Sequence, residues 1–147
     1  MYVGTFQHAL DGRNRLTIPA KWRFAGDEGE TSYLAVPNPK GCITVYPPAS
    51  RVTLEAKLEQ ISTLADADEV STLQKLFGVA DSFGCDSHGR ISLSDRLRRY
   101  AGLEEEVVLV GLYTVFNLWS PAQYTVDEQI TPGKLNFNAD VLRKFKL

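Results

Sequence analysis

The sequence is short of several features that mark large classes of proteins. Its 147 residues include only two cysteines, Cys42 and Cys85, which are too few for a disulfide framework, and we expect both to be reduced thiols. No stretch approaches the roughly 18 apolar residues of a membrane-spanning helix. Residues 1–5 lack the basic and long apolar regions of a secretory signal. We therefore expect a cytoplasmic protein without a membrane partner.

An excess of positive charge is also absent, since 16 Lys and Arg stand against 18 Asp and Glu, for a net charge of −2 at pH 7. The charge is nevertheless uneven. Residues 11–23 and 86–99 are basic, whereas acidic residues collect at 27–30, 66–69 and 104–106. Because a polyanionic partner responds to local charge, the basic stretches are compatible with one, although a solvated surface of mixed sign explains them as well. Their cations are Arg13, Arg15, Lys21, Arg23, Arg90, Arg96, Arg98 and Arg99.

One sequence pattern occurs twice, at residues 11–23 and 86–98, with a constant offset of 75. Each copy reads as an Asp, turn residues, an Arg four positions after the Asp, alternating apolar and hydroxyl positions, and a basic segment. A duplicated loop with a fixed Arg indicates two copies of one contact surface. It also predicts a chain of two similar halves, residues 1–75 and 76–147.

Both halves carry the signals of a β-β-α-β-β-α unit. Runs of apolar and β-favouring residues between turn residues predict strands at 2–10, 15–18, 33–36, 42–46, 107–111 and 115–119. Prolines beside small residues at 46–50 and 119–123 predict two helix starts. The first helix carries one apolar face over 54–65, and further helices are predicted at 69–80, 121–130 and 138–145. The longer helices bridge the two halves.

Two short helices are predicted after the loops, and their start signals differ. Pro19 is expected to open the first, which Gly26 ends. Ser94 is expected to cap the second, over residues 95–100, with Gly102 just past its end. For the predicted helix at 69–80, Asp66 or Asp68 is the expected cap.

The fold class that follows is α+β and rich in β-structure. A single unit of this size would bury little core alone, so two pseudo-symmetric units that interleave their strands in one core are the economical arrangement. The predicted core residues are Leu10, Leu16, Ile18, Val36, Val45, Phe83, Ile91, Leu93, Val108, Val110, Phe116 and Leu118.

Within the loops, Asn14 and Gly89 occupy matching places, and both residue types tolerate a positive φ. A left-handed turn position is therefore expected in each loop. Asp11 and Asp86 are expected to be structural, because a carboxylate repels phosphate. Each can bond backbone N–H groups across its turn or pair with the Arg four residues on.

The residues that carry a family resemblance are the two Asp-x-x-x-Arg loops, residues 16–19, residues 97–103 and the predicted strand at 107–111. The chain resembles the MraZ family of bacterial transcriptional regulators. The resemblance implies an AbrB-like swapped-hairpin fold with a double-psi-type β core, and a ring-shaped homo-oligomer. It further implies a repressor or modulator that binds G-rich direct repeats of double-stranded DNA in the promoter of the division and cell-wall gene cluster. The location implied is the nucleoid.

The chain departs from the family pattern at three places. The family usually has Lys-Gly before the loop Arg, whereas here the first loop has Arg13-Asn14 and the second has His88-Gly89. Because histidine is largely neutral near pH 7, the second loop should hold phosphate less strongly. Ser94 stands where a proline is common.

Arg15 and Arg90 are the residues expected to read the DNA. Each sits at the first strand position after its loop, where the backbone is held rigidly. A guanidinium can donate to O6 and N7 of guanine at the same time, or it can bind a phosphate. Arg13 and His88 are expected to contact phosphate. Backbone N–H groups of the turns at Asn14 and Gly89 are expected to add anion donors.

Two other classes of function compete with this hypothesis. An enzyme would need a metal or nucleophile site built from residues such as His8, His88, Cys42 and Cys85, but their spacing is no recognised zinc pattern, and His88 aligns with Arg13. No phosphate-binding Gly-rich loop or nucleophile elbow is present. We therefore expect no catalytic residue, metal or cofactor. An oligomeric protein-binding or antitoxin-like module of AbrB-like fold remains the alternative.

Overall fold

The structure is a computed structural model that describes residues 1–24, 33–62, 66–128 and 138–147. Its strands are β1 (Thr5–Ala9), β2 (Arg15–Thr17), β3 (Tyr33–Pro37), β4 (Ile43–Tyr46), β5 (Asp81–Phe83), β6 (Arg90–Ser92), β7 (Glu106–Gly111) and β8 (Phe116–Trp119). Its helices are α1 (Pro48–Ser62), α2 (Ala67–Val79), α3 (Asp95–Tyr100), α4 (Pro121–Glu128) and α5 (Ala139–Lys144), with a short 3-10 helix at Ala20–Trp22.

Six strands form one antiparallel sheet in the order β1-β7-β8-β4-β3-β5. The late strands β7 and β8 lie between the early strands β1 and β4, because β1 pairs with β7 and β4 pairs with β8. The register runs from Thr5 opposite Val110 to Ala9 opposite Glu106 in the first pair, and Ile43 lies opposite Leu118 in the second. The predicted α+β class is therefore confirmed.

The remaining strands, β2 and β6, form a separate two-stranded antiparallel ribbon. Leu16 lies opposite Ile91 at its centre, and both side chains are fully buried. Because successive side chains of a strand point to opposite faces, burial of this central pair directs the flanking positions to the other face. Those flanking positions include Arg15 and Arg90.

The core matches the predicted set at every position except Val110. Val110 is only half-buried, because β7 alternates its side chains between two faces. Val107 and Leu109 enter the main core, whereas Val108 and Val110 face a smaller cluster with Trp119. Several large residues that the sequence did not predict to be in the core are also buried: Trp22, Tyr33, Ile43, Leu97, Leu103 and Leu109.

Trp22 is the centre of an aromatic cluster that packs the first loop segment onto the sheet. It is 1% exposed, and its ring lies 5.1 Å from that of Phe116 and 5.2 Å from that of Phe6. Its indole N–H donates to the carbonyl oxygen of Val3 at 3.1 Å. The buried ring therefore has its polar atom satisfied, as a buried indole requires.

The predicted helix starts are confirmed. The side chain of Ser94 accepts from the N–H of Leu97 at 3.2 Å and caps α3, and Gly102 follows that helix with φ +64°. Asp66 caps α2 by accepting from the N–H of Glu69. The 3-10 helix follows Pro19, as expected.

Some predicted boundaries are wrong or untested. The first strand begins at Thr5 rather than at residue 2, because Gly4 has φ +104° and interrupts the extended chain. Gly26 and the predicted helix end near residue 130 lie outside the described residues. None of the helices that the structure describes is long and apolar enough to cross a membrane.

Replacing Trp22 by Ala should destabilise the protein by about 3–5 kcal/mol, the usual cost of emptying a large aromatic site. The free energy of unfolding from urea denaturation measures the loss. Lys21→Ala, an exposed change in the same short helix, should stay within about 0.5 kcal/mol of the parent protein. A loss below 1 kcal/mol for Trp22→Ala, on the order of a surface change, would contradict this role.

Candidate nucleic-acid interface

The first loop, residues 11–15, is organised by the carboxylate of Asp11. Its Oδ1 accepts from the backbone N–H groups of Arg13 at 2.9 Å and Arg15 at 2.8 Å. Its Oδ2 accepts from Nε of Arg15 at 2.6 Å. The backbone of Asp11 closes the turn, since its N–H donates to the oxygen of Arg15 and its oxygen accepts from the N–H of Asn14, both at 3.1 Å.

The second loop, residues 86–90, repeats each of these bonds. Oδ1 of Asp86 accepts from the N–H groups of His88 at 2.8 Å and Arg90 at 2.9 Å, and Oδ2 accepts from Nε of Arg90 at 2.9 Å. The N–H of Gly89 donates to the oxygen of Asp86 at 3.0 Å, and the N–H of Asp86 to the oxygen of Arg90 at 2.8 Å. The offset of 75 in the sequence therefore corresponds to one shared hydrogen-bond pattern.

The left-handed turn positions predicted in both loops are confirmed, with φ 57° at Asn14 and φ 76° at Gly89. The same geometry contradicts one expectation. The N–H groups of Asn14 and Gly89 donate inward to the oxygens of Asp11 and Asp86, so they are not available as anion donors. The turn is closed by its own aspartate, which leaves the side chains to make contacts.

Each loop is also tied to the strand that follows the other loop. The N–H of Ile18 donates to the oxygen of Gly89 at 2.8 Å, and the N–H of Leu93 donates to the oxygen of Asn14 at 2.9 Å. These two bonds lie at the same offset of 75. Together with the pairing of β2 and β6, they make the two loops one connected unit.

Arg15 and Arg90 project from the same face of the ribbon. Arg15 lies opposite Ser92, and residues two apart on a strand share a face, so Arg90 lies diagonally across from Arg15. Diagonal neighbours of this kind are separated by roughly 7–8 Å. The two side chains are 30% and 29% exposed, so both reach solvent.

The guanidinium groups of Arg15 and Arg90 are bound on one side only. Nε of each is held by its aspartate, and the terminal Nη atoms have no hydrogen-bond partner among the described residues. An Nε contact of this kind orients the planar group and leaves its outer edge for a ligand. That edge is the fork that guanidinium groups present to guanine or phosphate.

Hydrogen bonding lowers the pKa of both aspartates. The backbone N–H of Arg15, above all, holds the pKa of Asp11 at about 2, below its usual 3.8, with contributions from the Arg15 guanidinium and the N–H of Arg13. The corresponding donors of Arg90 and His88 lower the pKa of Asp86. Both carboxylates are therefore ionised wherever the protein is folded near neutral pH.

The other basic side chains near the loops are placed differently. Arg96, Arg98 and Arg99 each donate to a backbone carbonyl, at 3.0, 3.3 and 3.2 Å. Arg13 and His88 are exposed at the tips of their loops. The loop tips thus present basic side chains to solvent.

Residues considered for an enzyme are spread over the fold. Cys42 and Cys85 are buried in different hydrophobic clusters, and Nδ1 of His8 lies 2.6 Å from the oxygen of Thr17. Within residues 1–24, 33–62, 66–128 and 138–147, no three His, Cys, Asp or Glu side chains form a group that could hold a metal ion. His88 stays at the tip of the second loop, where its Nδ1 lies 3.4 Å from the hydroxyl oxygen of Ser87.

Comparison with known proteins decides the family. A family model described as "MraZ protein, putative antitoxin-like" matches residues 76–145. A protein named transcriptional regulator MraZ from Thermomicrobium roseum is 34% identical over 132 residues, which cover 88% of this chain and 89% of that protein. The chain belongs to the MraZ family.

Two further MraZ relatives extend the match. The transcriptional regulator MraZ of Nitrosomonas europaea is 37% identical over 131 residues, or 86% of each chain. That of Lactiplantibacillus plantarum is 32% identical over 145 residues, covering 99% of this chain and all of that protein. The resemblance to MraZ found from the loops is therefore confirmed, and the family is one of transcriptional regulators.

An acid titration followed by NMR of the side-chain carboxyl should give a pKa of about 2 for Asp11. Since this folded-state value is below that of the unfolded chain, the carboxylate stabilises the fold fully above roughly pH 4, and the contribution is lost as pH falls through the folded pKa. Asp11→Asn should remove this contribution. Its difference from the parent protein in unfolding free energy should be constant near neutral pH and shrink in acid. A difference that is independent of pH would contradict the assignment.

Proposed function

We propose that this protein regulates transcription by binding double-stranded DNA through the exposed face of the β2–β6 ribbon. Arg15 and Arg90 read guanine bases in G-rich direct repeats, while Arg13 and His88 contact phosphates. One observation carries the proposal: two guanidinium groups, each held by an aspartate on its Nε side, project from the same face with their outer edges open.

The chemistry of base reading favours this arrangement. A guanidinium bonds O6 and N7 of guanine with two N–H groups in one plane, so a side chain already fixed in that plane loses less conformational freedom on binding. Asp11 and Asp86 supply the fixing bond. The carboxylates of Asp11 and Asp86 accept hydrogen bonds from Nε and from backbone N–H groups of their own loops. They therefore stabilise the turns rather than face the phosphates.

We further infer that the chain consists of two repeats, residues 1–75 and 76–147, joined in an AbrB-like swapped-hairpin arrangement with a double-psi-type core. The reciprocal bonds from Ile18 to Gly89 and from Leu93 to Asn14 support an exchange of hairpins between the repeats. Helix α2 then bridges them.

Assembly of several chains into a ring would raise the affinity for DNA above that of a single chain. One pair of loops offers few contacts, whereas several pairs on one side of a ring bind repeated DNA boxes with a gain in effective concentration, provided that the spacings match. The overall charge of −2 is no obstacle if the basic loops share one side. The target we propose is the promoter of the division and cell-wall gene cluster, which would place the protein on the nucleoid.

Replacing Arg15 and Arg90 by Ala together should abolish specific binding to that promoter while the oligomer survives. Each bidentate contact to guanine is worth about 1–3 kcal/mol per site, and both are lost in every subunit. Gel-shift assays against a scrambled DNA of equal length, with size-exclusion chromatography of the variant, measure the two results.

The matched control for this variant removes two positive charges elsewhere. Arg51 and Arg143 lie on α1 and α5, outside both loops and the ribbon strands, and replacing both by Ala should leave specific binding within a few fold of the parent protein. Binding retained by the Arg15 and Arg90 variant, or lost equally in the control, would end the two-loop proposal.

Affinity for DNA should also fall steeply with salt. Each phosphate contact releases a condensed counterion, so the logarithm of the association constant should decrease linearly with the logarithm of salt concentration, with a slope of about −0.9 per contact. A fluorescence-anisotropy series between low and moderate salt measures this slope. A flat series would contradict binding by the cationic loops.

A further inference from the structure

The tips of the two loops differ in what lies against them. In the second loop Gly89 is buried although its neighbours at the tip are exposed, because the side chain of Arg23 covers it. A Cβ built on Gly89 would lie only 2.6 Å from Cζ and 2.8 Å from Cδ of Arg23. The guanidinium of Arg23, a residue from the first half of the chain, therefore rests on the turn of the second loop.

Arg23 is brought there by the residues before it. Trp22 is buried in the aromatic cluster, and Arg23 follows it in an extended conformation, with φ −98° and ψ 124°. The residue itself is exposed, and no carboxylate of the described part of the chain forms an ion pair with it. Its charge is accordingly presented to solvent beside the second loop.

The first loop has a paired cation beside its turn instead of an unpaired one. The residue that matches Arg23 at the offset of 75 is Arg98, which donates to the oxygen of Leu103 and lies 3.7 Å from the carboxylate of Asp95. The turn residue Asn14 instead donates from Nδ2 to that same Asp95 at 2.7 Å. The cation beside the first tip is therefore paired with Asp95 and bound to a carbonyl, whereas Arg23 beside the second tip has no carboxylate partner among the described residues.

This difference complements the difference in sequence between the loops. The first loop carries the permanently charged Arg13 at its tip, whereas the second has a histidine, His88, at the matching place. We propose that Arg23 supplies the missing cation of the second loop and contacts a DNA phosphate beside the guanine read by Arg90. The inference rests on the proposed function, and it makes the second contact surface a product of both halves of the chain.

The test compares Arg23→Ala with Lys21→Ala, which removes the same charge from an exposed position in the short helix that precedes Arg23. Loss of a phosphate contact should weaken binding roughly tenfold, to G-rich and scrambled DNA alike, and should reduce the salt slope by about 0.9 per second loop engaged. Lys21→Ala should leave both quantities near those of the parent protein. Arg23→Lys, which keeps the charge, should retain most of the slope.

A second change separates charge from structure. If Arg23 replaces the cation that His88 lacks, His88→Arg added to Arg23→Ala should restore both the affinity and the salt slope. Thermal unfolding of each variant checks the fold. An Arg23→Ala protein that binds like Lys21→Ala, or one that binds weakly with an unchanged salt slope and no rescue, would overturn the inference.

The outcomes also distinguish the role of Arg23 from the proposed DNA binding through Arg15 and Arg90. If the Arg15 and Arg90 double variant still binds the promoter specifically, the proposed function fails whatever Arg23 does. If that variant loses binding while Arg23→Ala does not, the function stands and only the role of Arg23 is refuted.

Discussion

The hydrogen bonds that one aspartate carboxylate accepts are the constraint on which each loop depends. Asp11 and Asp86 each take two backbone N–H groups and one Nε–H, so a single side chain closes the turn and orients the arginine. Such charge-assisted bonds are stronger than neutral ones, and they are reflected in the lowered pKa of both carboxyls. Without the carboxylate, the guanidinium would lose the bond that sets its direction, and the turn would keep only its backbone bonds.

The ribbon turns two local motifs into one surface. Burial of Leu16 and Ile91 directs Arg15 and Arg90 outward together, because side chains of paired strands alternate in step. A shift of the pairing by one residue would bury the arginines and expose the apolar pair. The hydrophobic core therefore determines the geometry of the polar face. The aromatic cluster around Trp22 fixes the segment that follows the first ribbon strand against the sheet.

Much of the local structure was predictable from residue chemistry. Positive φ at Asn14 and Gly89 followed from residue type, as did the cap at Ser94. The donors expected from the turns were wrong, because turn residues alone do not reveal that the aspartate backbone already accepts those N–H groups. Trp22 escaped the core prediction, since it stands in a basic segment where no apolar periodicity marks it.

The sequence by itself determined the family, the duplicated loop and the aspartate–arginine spacing, because these are short-range properties that a few residues encode through turn geometry and hydrogen bonding. Only the tertiary structure decided that the two arginines share a face and that Arg23 of one half lies on Gly89 of the other. Those relations join residues far apart in the chain. They depend on strand register and on packing around buried rings, which no local pattern specifies.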